Sequence, residues 1–576
     1  MEAYKRAGIN PQFTYDGQTI LDLFDATVAR NPNGVALVMD IGPISMKMTY
    51  RKLAAESRRF AAGLAGRNIV RPGDRVAFHL PNTPQFLIAY LAVLRLGGTL
   101  TPTFPRAPKQ ECADKWADAE VKVLITLDIF LESDLAVARG LPCLEHVVAT
   151  HVSDCFPFLK RMILSQSLKK RSAWRNVSDI QVVDGATVHE WRALSGISSG
   201  ESVVSAAQPD GLALLLYTGG TSGGLPKAAM LTHANTGAHA MKLPRLFPNF
   251  KTDGEVIASF LPYHHSFGIT VCLGMALAHG VMIVLIPRPF EEKGLLKRYT
   301  PILRAVRKYR ATILPSSPFL FEQLLADPAL TRDTLASVRY CISGAAPLSA
   351  DLRNQFEQKT GVEILEGYGM SEACSGVAIN SSEIATALHA RGTDMGVGMP
   401  VPGTDIEIRN EDGAEVPLGE IGEICVYGPE VMKGYLNKPE PTAIALRDEW
   451  LHTGDLGFVD TRGFLHVTGL KKEMINFQDG RKAFPEEIEA VLRAHPSVAD
   501  CAVIRAKDER RGEVPRALVV LVSGEAPTKE LESHIGDFTR SRLDYKYPRI
   551  ITFVPEIPRS PDGMKILRGK LKELYS

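Results

Sequence analysis

A loop rich in glycine and hydroxyl side chains follows an apolar stretch, LALLLYT, near the middle of the chain. The loop residues are Thr218, Gly219, Gly220, Thr221, Ser222, Gly223 and Gly224. Glycines let backbone N–H groups converge on an anion, hydroxyls add donors, and Lys227 supplies a positive charge. The pattern predicts a phosphate-binding loop. Because Lys227 is preceded by Pro226 and followed by Ala228, this loop is not a Walker A sequence, which requires GK[ST].

The same loop also satisfies the pattern GxSxG of serine hydrolases. A hydrolase would use Ser222 as its nucleophile, and Asp455 followed by His466 has the chain order of that triad. A surface turn without chemistry is the third interpretation. All three are open at this point.

Strand-like apolar runs alternate with longer helical patterns from about Ile20 to Leu470. The runs are VALVMD, RVAFHL, KVLIT, HVVAT, LALLLYT, VIASFLP, MIVLIP, ATILPSS and VRYCISG. This alternation predicts an α/β fold with parallel sheets covered by helices. Between Ile406 and Leu436, Asp-Gly and Gly-Glu pairs separate short strands and predict a small antiparallel subdomain.

The pattern changes after Gly469. The remaining chain reads as helix (PEEIEAVLRAH), two strands (DCAVIRAK, PRALVVLV), helix (TKELESHIGDFTRSRL) and strand (RIITFV). We therefore predict a large N-terminal domain over residues 1–470 and a small α+β domain over residues 471–576.

The segment Phe267 to Pro287 is apolar over about the length of a membrane span. His279-Gly280 divides it. The first half is typical of a buried helix that ends at a glycine cap, and the second half is typical of a buried parallel strand. We predict a soluble core rather than a transmembrane helix.

Composition excludes several classes of protein. The 576 residues carry 66 Lys and Arg against 65 Asp and Glu, so the net charge favours neither nucleic acid nor an anionic membrane. The eight cysteines form no CxxC pair or Cys/His cluster, which indicates reduced thiols. The N-terminus lacks the apolar stretch of a signal peptide, and a cytoplasmic location is expected.

Six motifs occur in a fixed order along the chain. They are YTGGTSGGLPKAAMLTHAN (217–235), PYHHSFG (262–268), SGAAPLS (343–349), EGYGMSE (366–372), EWLHTGDLGFVD (449–460) and PRSPDGMKILRGKL (558–571). With these motifs the chain resembles the adenylate-forming superfamily, which includes acyl-CoA synthetases, luciferases and peptide-synthetase adenylation domains. The resemblance spans nearly the whole chain and argues against the hydrolase.

The resemblance implies ATP, Mg²⁺ and coenzyme A as ligands, and it implies a role for each motif. Nucleotide-binding residues are expected at Thr218, Gly219, Gly220, Thr221, Ser222, Gly223, Lys227, Gly344, Ala345, Ala346, Glu366, Gly367, Tyr368, Gly369, Met370, Ser371, Asp455 and Lys565. Within that set, Asp455 is expected at the ribose and Tyr368 beside the adenine and acyl sites, and Thr218 is expected to take part in catalysis.

Other residues carry the remaining roles that the resemblance implies. Glu372 is expected to bind Mg²⁺, for which a carboxylate is a suitable hard ligand. His265 of P-x-x-H-x-x-G is expected to orient the substrate carboxylate, although the neighbouring His264 is an alternative. Lys565 is expected to be the catalytic lysine. Lys472 is expected to be the hinge of a mobile C-terminal domain, and Gly480 to admit coenzyme A.

Three departures from the usual pattern are present. The phosphate loop has one extra residue before Pro226-Lys227, and Ala228 replaces a glycine. Leu470 stands where an arginine is usual. Met564 separates Gly563 from Lys565, so that Lys570 is an alternative catalytic lysine.

The segment Phe156 to Trp174 mixes apolar and basic residues. The apolar ones are Phe156, Phe158, Leu159, Met162, Ile163, Leu164, Leu168 and Trp174, and the basic ones are Lys160, Arg161, Lys169, Lys170 and Arg171. Such a segment is typical of a helix resting on an anionic bilayer. A packed surface helix with snorkelling basic side chains is the alternative.

The motif wording, the chain length and this inserted segment are similar to bacterial medium- and long-chain fatty acyl-CoA synthetases. We therefore expect a fatty acid to be activated as acyl-AMP and transferred to coenzyme A. Alternatives are an aryl-acid CoA ligase, a fatty acyl-AMP ligase serving a carrier protein, and a catalytically decayed binding protein of the same fold.

Overall fold

The structure is a computed structural model. It describes residues 2–41, 43–169, 182–183, 185–196, 203–218, 226–286, 300–478, 481–508, 512–560 and 566–575. The strands, in chain order, are β1 (Val35–Ile41), β2 (Ile44–Thr49), β3 (Arg75–His79), β4 (Thr99–Pro102), β5 (Val123–Leu127), β6 (His146–Thr150), β7 (Val182–Val183), β8 (Ala186–Glu190), β9 (Leu212–Thr218), β10 (Lys227–Thr232), β11 (Val256–Ser259), β12 (Met282–Leu285), β13 (Ile313–Ser316), β14 (Tyr340–Ser343), β15 (Ile364–Met370), β16 (Ser375–Ile379), β17 (Met399–Pro400), β18 (Asp405–Arg409), β19 (Gly422–Tyr427), β20 (Leu446–Arg447), β21 (Trp450–Val459), β22 (Leu465–Leu470), β23 (Ile475–Asn476), β24 (Lys482–Ala483), β25 (Val498–Asp508), β26 (Gly512–Leu521) and β27 (Ile550–Phe553).

The α-helices, in the same order, are α1 (Glu2–Arg6), α2 (Ile20–Arg30), α3 (Tyr50–Gly66), α4 (Pro84–Arg95), α5 (Lys109–Asp118), α6 (Asp128–Ala138), α7 (Phe158–Lys169), α8 (Trp191–Ser195), α9 (His233–Lys242), α10 (Ala276–His279), α11 (Thr300–Tyr309), α12 (Pro318–Ala326), α13 (Ala350–Thr360), α14 (Ser382–Ala387), α15 (Pro439–Ala445), α16 (Pro485–Arg493), α17 (Lys529–Leu543) and α18 (Arg568–Tyr575).

Two large sheets form the N-terminal part, as the alternating pattern predicts. The first has the strand order β17-β16-β15-β14-β13-β11-β12-β1-β2, and the second β10-β9-β4-β3-β5-β6-β8-β7. The central strands of both sheets run parallel. Their side chains are almost entirely buried, because helices cover both faces.

Strands at the sheet edges depart from the all-parallel prediction. β2, β7, β10, β16 and β17 each pair antiparallel with a neighbour. β9 and β10 form a hairpin in which Thr218 is the register partner of Lys227, so the glycine-rich loop connects two antiparallel strands. The following helix, α9, begins one strand later than the loop.

The antiparallel subdomain extends further than predicted. β18, β19, β20, β21 and β22 form one antiparallel sheet that continues to Leu470, well beyond Leu436. Residues 432–436 do not belong to it. They run beside β10 instead, where Ala229 bridges Tyr435, because the chain leaves β19 and returns to the hairpin before it enters α15.

The predicted elements after Gly469 are all present. α16, β25, β26, α17 and β27 occur in the expected order, and β25, β26 and β27 form a separate sheet with its own apolar core. The proposed boundary at residue 470 stays a prediction. A β-carbon on Gly469 would lie 2.8 Å from the Phe484 ring, so only glycine fits where β22 passes the start of α16.

The long apolar segment forms a helix and a strand, as predicted. Its first part, Phe267–Met275, is a π-helix that continues into α10 and ends at Gly280, which has a φ of +70°. Its second part is β12, buried between the parallel strands β1 and β11. None of the helices in the described residues combines the length and the apolar composition of a membrane span.

Candidate active site

The two large sheets meet at the carboxyl ends of their parallel strands. Asn82, in the loop after β3 of the second sheet, donates from Nδ2 to the Leu261 carbonyl, which follows β11 of the first sheet (2.8 Å). The Asn82 Oδ1 accepts from the Tyr263 N–H at 3.2 Å. Ligands of α/β proteins bind at this edge of a sheet. The first four motifs lie at the ends of β9, β11, β14 and β15, and the fifth lies in β21 of the antiparallel sheet.

Asp455 and Tyr368 come from different motifs and contact each other directly. The Tyr368 hydroxyl donates to Asp455 Oδ2 at 2.5 Å. Burial and the Asp455 charge raise the pKa of Tyr368 well above its ordinary value, so the phenol stays protonated. The Asp455 N–H donates to Thr453 Oγ1 at 3.1 Å, which fixes the turn that carries the carboxylate. This arrangement presents a fixed acceptor beside an aromatic ring.

A second group joins the expected metal ligand to the phosphate-loop lysine. The Tyr435 hydroxyl donates to Glu372 Oε1 at 2.9 Å. The Lys227 Nζ lies 4.9 Å from the centroid of the same Tyr435 ring. Glu372 sits in a single 3-10 turn, Ser371–Ala373, immediately after β15. The fold therefore brings both residues to one tyrosine, with Glu372 at its hydroxyl and Lys227 over its ring.

Thr218 ends β9 beside Lys227. Its hydroxyl donates to the Lys227 carbonyl at 3.3 Å. Gly219, Gly220, Thr221, Ser222 and Gly223 lie outside the described residues. The two described ends of the loop are thus held together by the β9–β10 hairpin.

Three motifs meet at Gly344. A β-carbon there would lie 3.3 Å from the Phe267 ring and 3.7 Å from the Gly367 carbonyl. The next residue, Ala345, has a φ of +73°, a left-handed conformation that costs a non-glycine residue about 1 kcal/mol. Ala346 follows at a half-buried position. Such strain is concentrated at functional sites because the surrounding structure must hold it.

The strand that carries Gly367, Gly369 and Met370 passes very close to β16, and its register with β16 shifts between Tyr368 and Gly369. A β-carbon on Gly369 would lie 1.6 Å from the Ser375 carbonyl oxygen. Glycine is therefore required where β15 changes from a parallel neighbour, β14, to an antiparallel one, β16. This change leads the chain from Glu366 through Tyr368 to Ser371 and Glu372.

Glu366 is a buried carboxylate bonded to the loop after β14 and to α13. Its carboxylate accepts from the Leu348 N–H at 3.0 Å and from Arg353 at 2.8 Å. Burial raises the pKa of Glu366 to about 7, and these two donors only partly oppose that rise. The Leu348 bond holds the loop that contains Ala345, and the nucleotide contact expected of Glu366 stays a prediction.

His265 lies two residues before the π-helix Phe267–Met275. Its Nδ1 accepts from the Phe267 N–H at 3.3 Å, which requires the lone pair on Nδ1 and, in a neutral ring, the proton on Nε2. The neighbouring His264 ring packs at 4.7 Å from the Phe104 ring. His265 is therefore bonded to the first residue of the π-helix, whereas His264 faces the second sheet.

Leu470, which stands where an arginine is usual, lies directly across from Asp455. These two residues are register partners in the β21–β22 hairpin. Lys471 Nζ lies 3.4 Å from Glu423, whose other oxygen accepts from the Gly454 N–H at 3.2 Å. Burial lowers the pKa of Lys472, although Glu473 and Asp455 act in the opposite direction. Lys471 is thus linked through Glu423 to the turn that carries Asp455, and the hinge role expected of Lys472 stays a prediction.

Two predicted residues, Gly480 and Lys565, lie outside the described residues. The chain on either side of Lys565 is described: Arg559 and Ile566 form an antiparallel bridge. Arg559 also pairs with Asp500 at 2.8 Å. The roles of Gly480 and Lys565 stay predictions.

In the hydrolase interpretation Asp455 and His466 would pair with each other, but both have other partners. His466 lies 3.5 Å from Asp460 and 3.6 Å from Asp394, and its ring stacks on Phe458. Asp455 is bonded to Tyr368 instead.

The residues fit Mg²⁺ that arrives with a triphosphate. Among the described residues, no three His, Cys, Asp or Glu side chains form a cluster that would hold a metal ion. Mg²⁺ binds through one or two carboxylates and completes its shell with phosphate oxygens and water. Glu372, with Lys227 nearby, supplies this kind of site.

Sequence reasoning missed three contacts at this site. Tyr435 falls in the segment predicted as the antiparallel subdomain. The surrounding sequence GPEVMKGY has no pattern that indicates a contact with Glu372 or Lys227. Arg353 and Glu423 act through partners that are close only in the folded chain. Such partners have no fixed spacing to the motifs, so the sequence alone could not identify them.

Comparison with known proteins agrees with this geometry. Residues 24–436 match the AMP-binding enzyme family, and residues 487–563 match the AMP-binding enzyme C-terminal domain. A relative named long-chain-fatty-acid–CoA ligase from Bacillus subtilis is 33% identical over 564 residues, covering 96% of this chain and 94% of that protein. A relative named 4-coumarate–CoA ligase 4 from Arabidopsis thaliana is 30% identical, covering 92% and 87%.

A solved structure is similar over nearly the same length. The ATP-bound MatB from Rhodopseudomonas palustris superimposes with a TM-score of 0.78 at 28% identity, covering 97% of this chain and 99% of that one. The chain therefore belongs to the AMP-binding enzyme family and is an AMP-forming acid–thiol ligase.

Proposed function

We propose that the protein activates a medium- or long-chain fatty acid with ATP and transfers the acyl group to coenzyme A. The observation that carries this proposal is the long-chain-fatty-acid–CoA ligase similarity, which covers 96% of this chain. The grouping of Asp455, Tyr368, Glu372 and Lys227 supports an ATP site.

In the first step, the substrate carboxylate attacks the α-phosphorus of ATP. A carboxylate oxygen–phosphorus bond forms, the α–β phosphoanhydride bond breaks, and pyrophosphate leaves. Asp455 accepts hydrogen bonds from the ribose hydroxyls. Lys227 and the loop that begins at Thr218 hold the phosphates. His265 orients the substrate carboxylate by donating a hydrogen bond from Nε2. Lys565 stabilises the charge that develops between the carboxylate and the α-phosphate.

Glu372 would hold Mg²⁺ in this step. When bound, Mg²⁺ neutralises the charge of the departing pyrophosphate.

In the second step, the thiol of coenzyme A attacks the acyl carbonyl. A sulfur–carbon bond forms, the bond between the acyl carbon and AMP breaks, and the thiol proton is lost to solvent. Thiols have a pKa of about 8.5, so a part of the thiol is ionised near neutral pH. We propose that the domain from residue 471 onwards rotates between the steps about Lys472, and that Gly480 then approaches the site.

A panel of acids tests this proposal. AMP release should be measured with saturated acids of increasing chain length and with 4-coumarate, each with coenzyme A and with a holo acyl carrier protein. Fastest turnover with a fatty acid and coenzyme A is expected. Preference for coumarate or for the carrier protein would select one of the alternatives, and no ATP-dependent AMP release with any acid would favour a decayed binding protein.

We further propose that α7 contacts an anionic lipid surface. Phe156 and Leu164 are buried and anchor the helix, whereas Phe158, Leu159, Met162 and Ile163 are exposed along one face. Arg161 lies over the Phe158 ring at 5.3 Å, so a cation borders the apolar face. Exposed apolar side chains grouped with basic ones favour binding to an anionic bilayer. Lys170, Arg171 and Trp174 lie outside the described residues.

A further inference from the structure

Tyr435 touches two residues that the proposed function places on the triphosphate. Its hydroxyl donates to Glu372 Oε1 at 2.9 Å, and the Lys227 ammonium lies 4.9 Å from its ring centroid. The side chain is buried. A core tyrosine needs only one polar partner for its hydroxyl, but this ring also contacts a cation on its face.

The backbone around Tyr435 is fixed to the same elements. The Met432 N–H donates to the Glu372 carbonyl at 2.8 Å, and the Leu436 N–H donates to the Ala228 carbonyl at 2.9 Å. The Tyr435 N–H donates to Thr442 Oγ1 at 2.9 Å. Residues 432–436 therefore form a strap between the metal-ligand turn and β10, which begins at Lys227.

A buried ion pair fixes the preceding residues of this strap. Lys242 and Glu430 are completely buried, form an ion pair, and share the Thr404 hydroxyl. Asn235, on the same helix as Lys242, donates to the Pro429 carbonyl at 2.8 Å. A buried ion pair is tolerated only with well-matched geometry, so α9 holds the strap in one position.

From these contacts we propose that Tyr435 is a positioning residue which orients the Glu372 carboxylate for the metal ion of the nucleotide and holds Lys227 beside it. This inference rests on the proposed function. One carboxylate oxygen is oriented by the phenol, and the carboxylate is thereby aimed before the metal arrives. A single flexible carboxylate would otherwise lose rotamer freedom on binding. The ring keeps the lysine in the site without neutralising it.

Metal binding tests this proposal separately from turnover. The full-length protein with a saturating non-hydrolysable α,β-methylene analogue of ATP should be titrated with Mn²⁺, and free Mn²⁺ should be measured by electron paramagnetic resonance. Tyr435→Phe should raise the Mn²⁺ dissociation constant about 3- to 10-fold, the scale of losing one typical hydrogen bond. Its affinity for the analogue without metal should stay within about twofold of wild type, since the ring remains.

Two variants serve as controls. Tyr309→Phe removes another phenol that donates to a carboxylate, Asp40 at 2.6 Å, and should leave Mn²⁺ binding unchanged. Tyr435→Leu removes the ring as well and should also weaken metal-free binding of the analogue. If Tyr435→Phe does not fold, Thr442→Val should weaken Mn²⁺ binding, because it frees the Tyr435 backbone, whereas Thr442→Ser should not.

Two results would overturn the proposal. One is Mn²⁺ binding by Tyr435→Phe that matches wild type and Tyr309→Phe. The other is an equal loss of metal-free and metal-bound affinity, as expected of a merely structural residue. A wild-type protein that binds nucleotide and Mn²⁺ but activates no acid would instead contradict the proposed function and leave the role of Tyr435 standing.

Discussion

At the scale of single residues, Glu366 gives a pH-dependent prediction. Its pKa rises from an ordinary value of 4.5 to about 7 in the folded protein, chiefly through burial. The folded state therefore binds more protons than the unfolded state between these values, and this group makes the protein less stable as pH rises from about 4.5 to 7. The contribution is at most about 3 kcal/mol. Glu366→Gln cannot ionise, so its melting temperature relative to wild type should rise by about 2–3 °C between pH 5 and pH 8.

Glu255→Gln is the matched control for that measurement. It alters another buried glutamate paired with an arginine, Arg339 at 2.8 Å, and reports the loss of an ion pair alone. Differential scanning fluorimetry at pH 5 and pH 8 compares the variants. If the melting temperatures of Glu366→Gln and wild type differed by the same amount at both pH values, Glu366 would not have a raised pKa.

The grouping of residues was predictable from sequence only where motifs carry them. The motif residues Asp455, Tyr368, Glu372 and Lys227 come together as a shared site requires. The partners of these residues were not predictable, because Tyr435 reaches Glu372 across 63 residues and Tyr368 reaches Asp455 across 87. Contacts at such separations depend on sheet topology rather than on spacing.

At the scale of elements, helix α7 gives a prediction about lipid. Leu159 and Ile163 are 73% and 58% exposed, so changing them to aspartate removes apolar surface and adds charge without disturbing the core. Leu159→Asp/Ile163→Asp should lower binding to phosphatidylglycerol vesicles at least ~5-fold, since each buried apolar side chain contributes on the order of 1.5–3 kcal/mol. Vesicle flotation measures the bound fraction. Phosphatidylcholine vesicles should bind more weakly, because they lack the anionic charge.

The control for this experiment uses another exposed apolar pair. Leu418 and Ile421 are 62% and 54% exposed in the antiparallel subdomain, and Leu418→Asp/Ile421→Asp should bind vesicles as wild type does. Equal flotation of wild type and both double variants would leave α7 as a surface helix without a lipid role.

Strands and helices were largely predictable because apolar runs mark buried strands so clearly. Every run named from the sequence forms a strand, from Val35 to Ser343. The edge strands and the π-helix were not predictable. An antiparallel edge such as β10 has the same composition as a parallel neighbour, and the π-helix Phe267–Met275 has no sequence period that separates it from an α-helix.

At the scale of the whole molecule, the separate C-terminal core is consistent with two rigid parts joined at residues 470–473. The 3-10 turn Lys471–Glu473 connects them, and Glu473 pairs with Lys572 on the C-terminal side. If the parts rotate between the two steps, a residue of the rotating part should serve one step only.

Lys565→Ala should slow adenylate formation by about 10²-fold or more, the scale of losing one electrostatic stabiliser. Thioester formation from supplied acyl-AMP should survive, because Lys565 would then have left the site. Lys472→Pro should do the reverse, since proline fixes φ near about −65° and locks the hinge while adenylation continues. Lys472→Ala removes the ammonium but keeps the dihedral free, so it should spare the transfer step. Single-turnover measurements of each half-reaction, with Lys570→Ala as the alternative lysine, provide the comparison. Equal impairment of both steps by Lys565→Ala, or of neither, would show that another lysine stabilises the adenylation step.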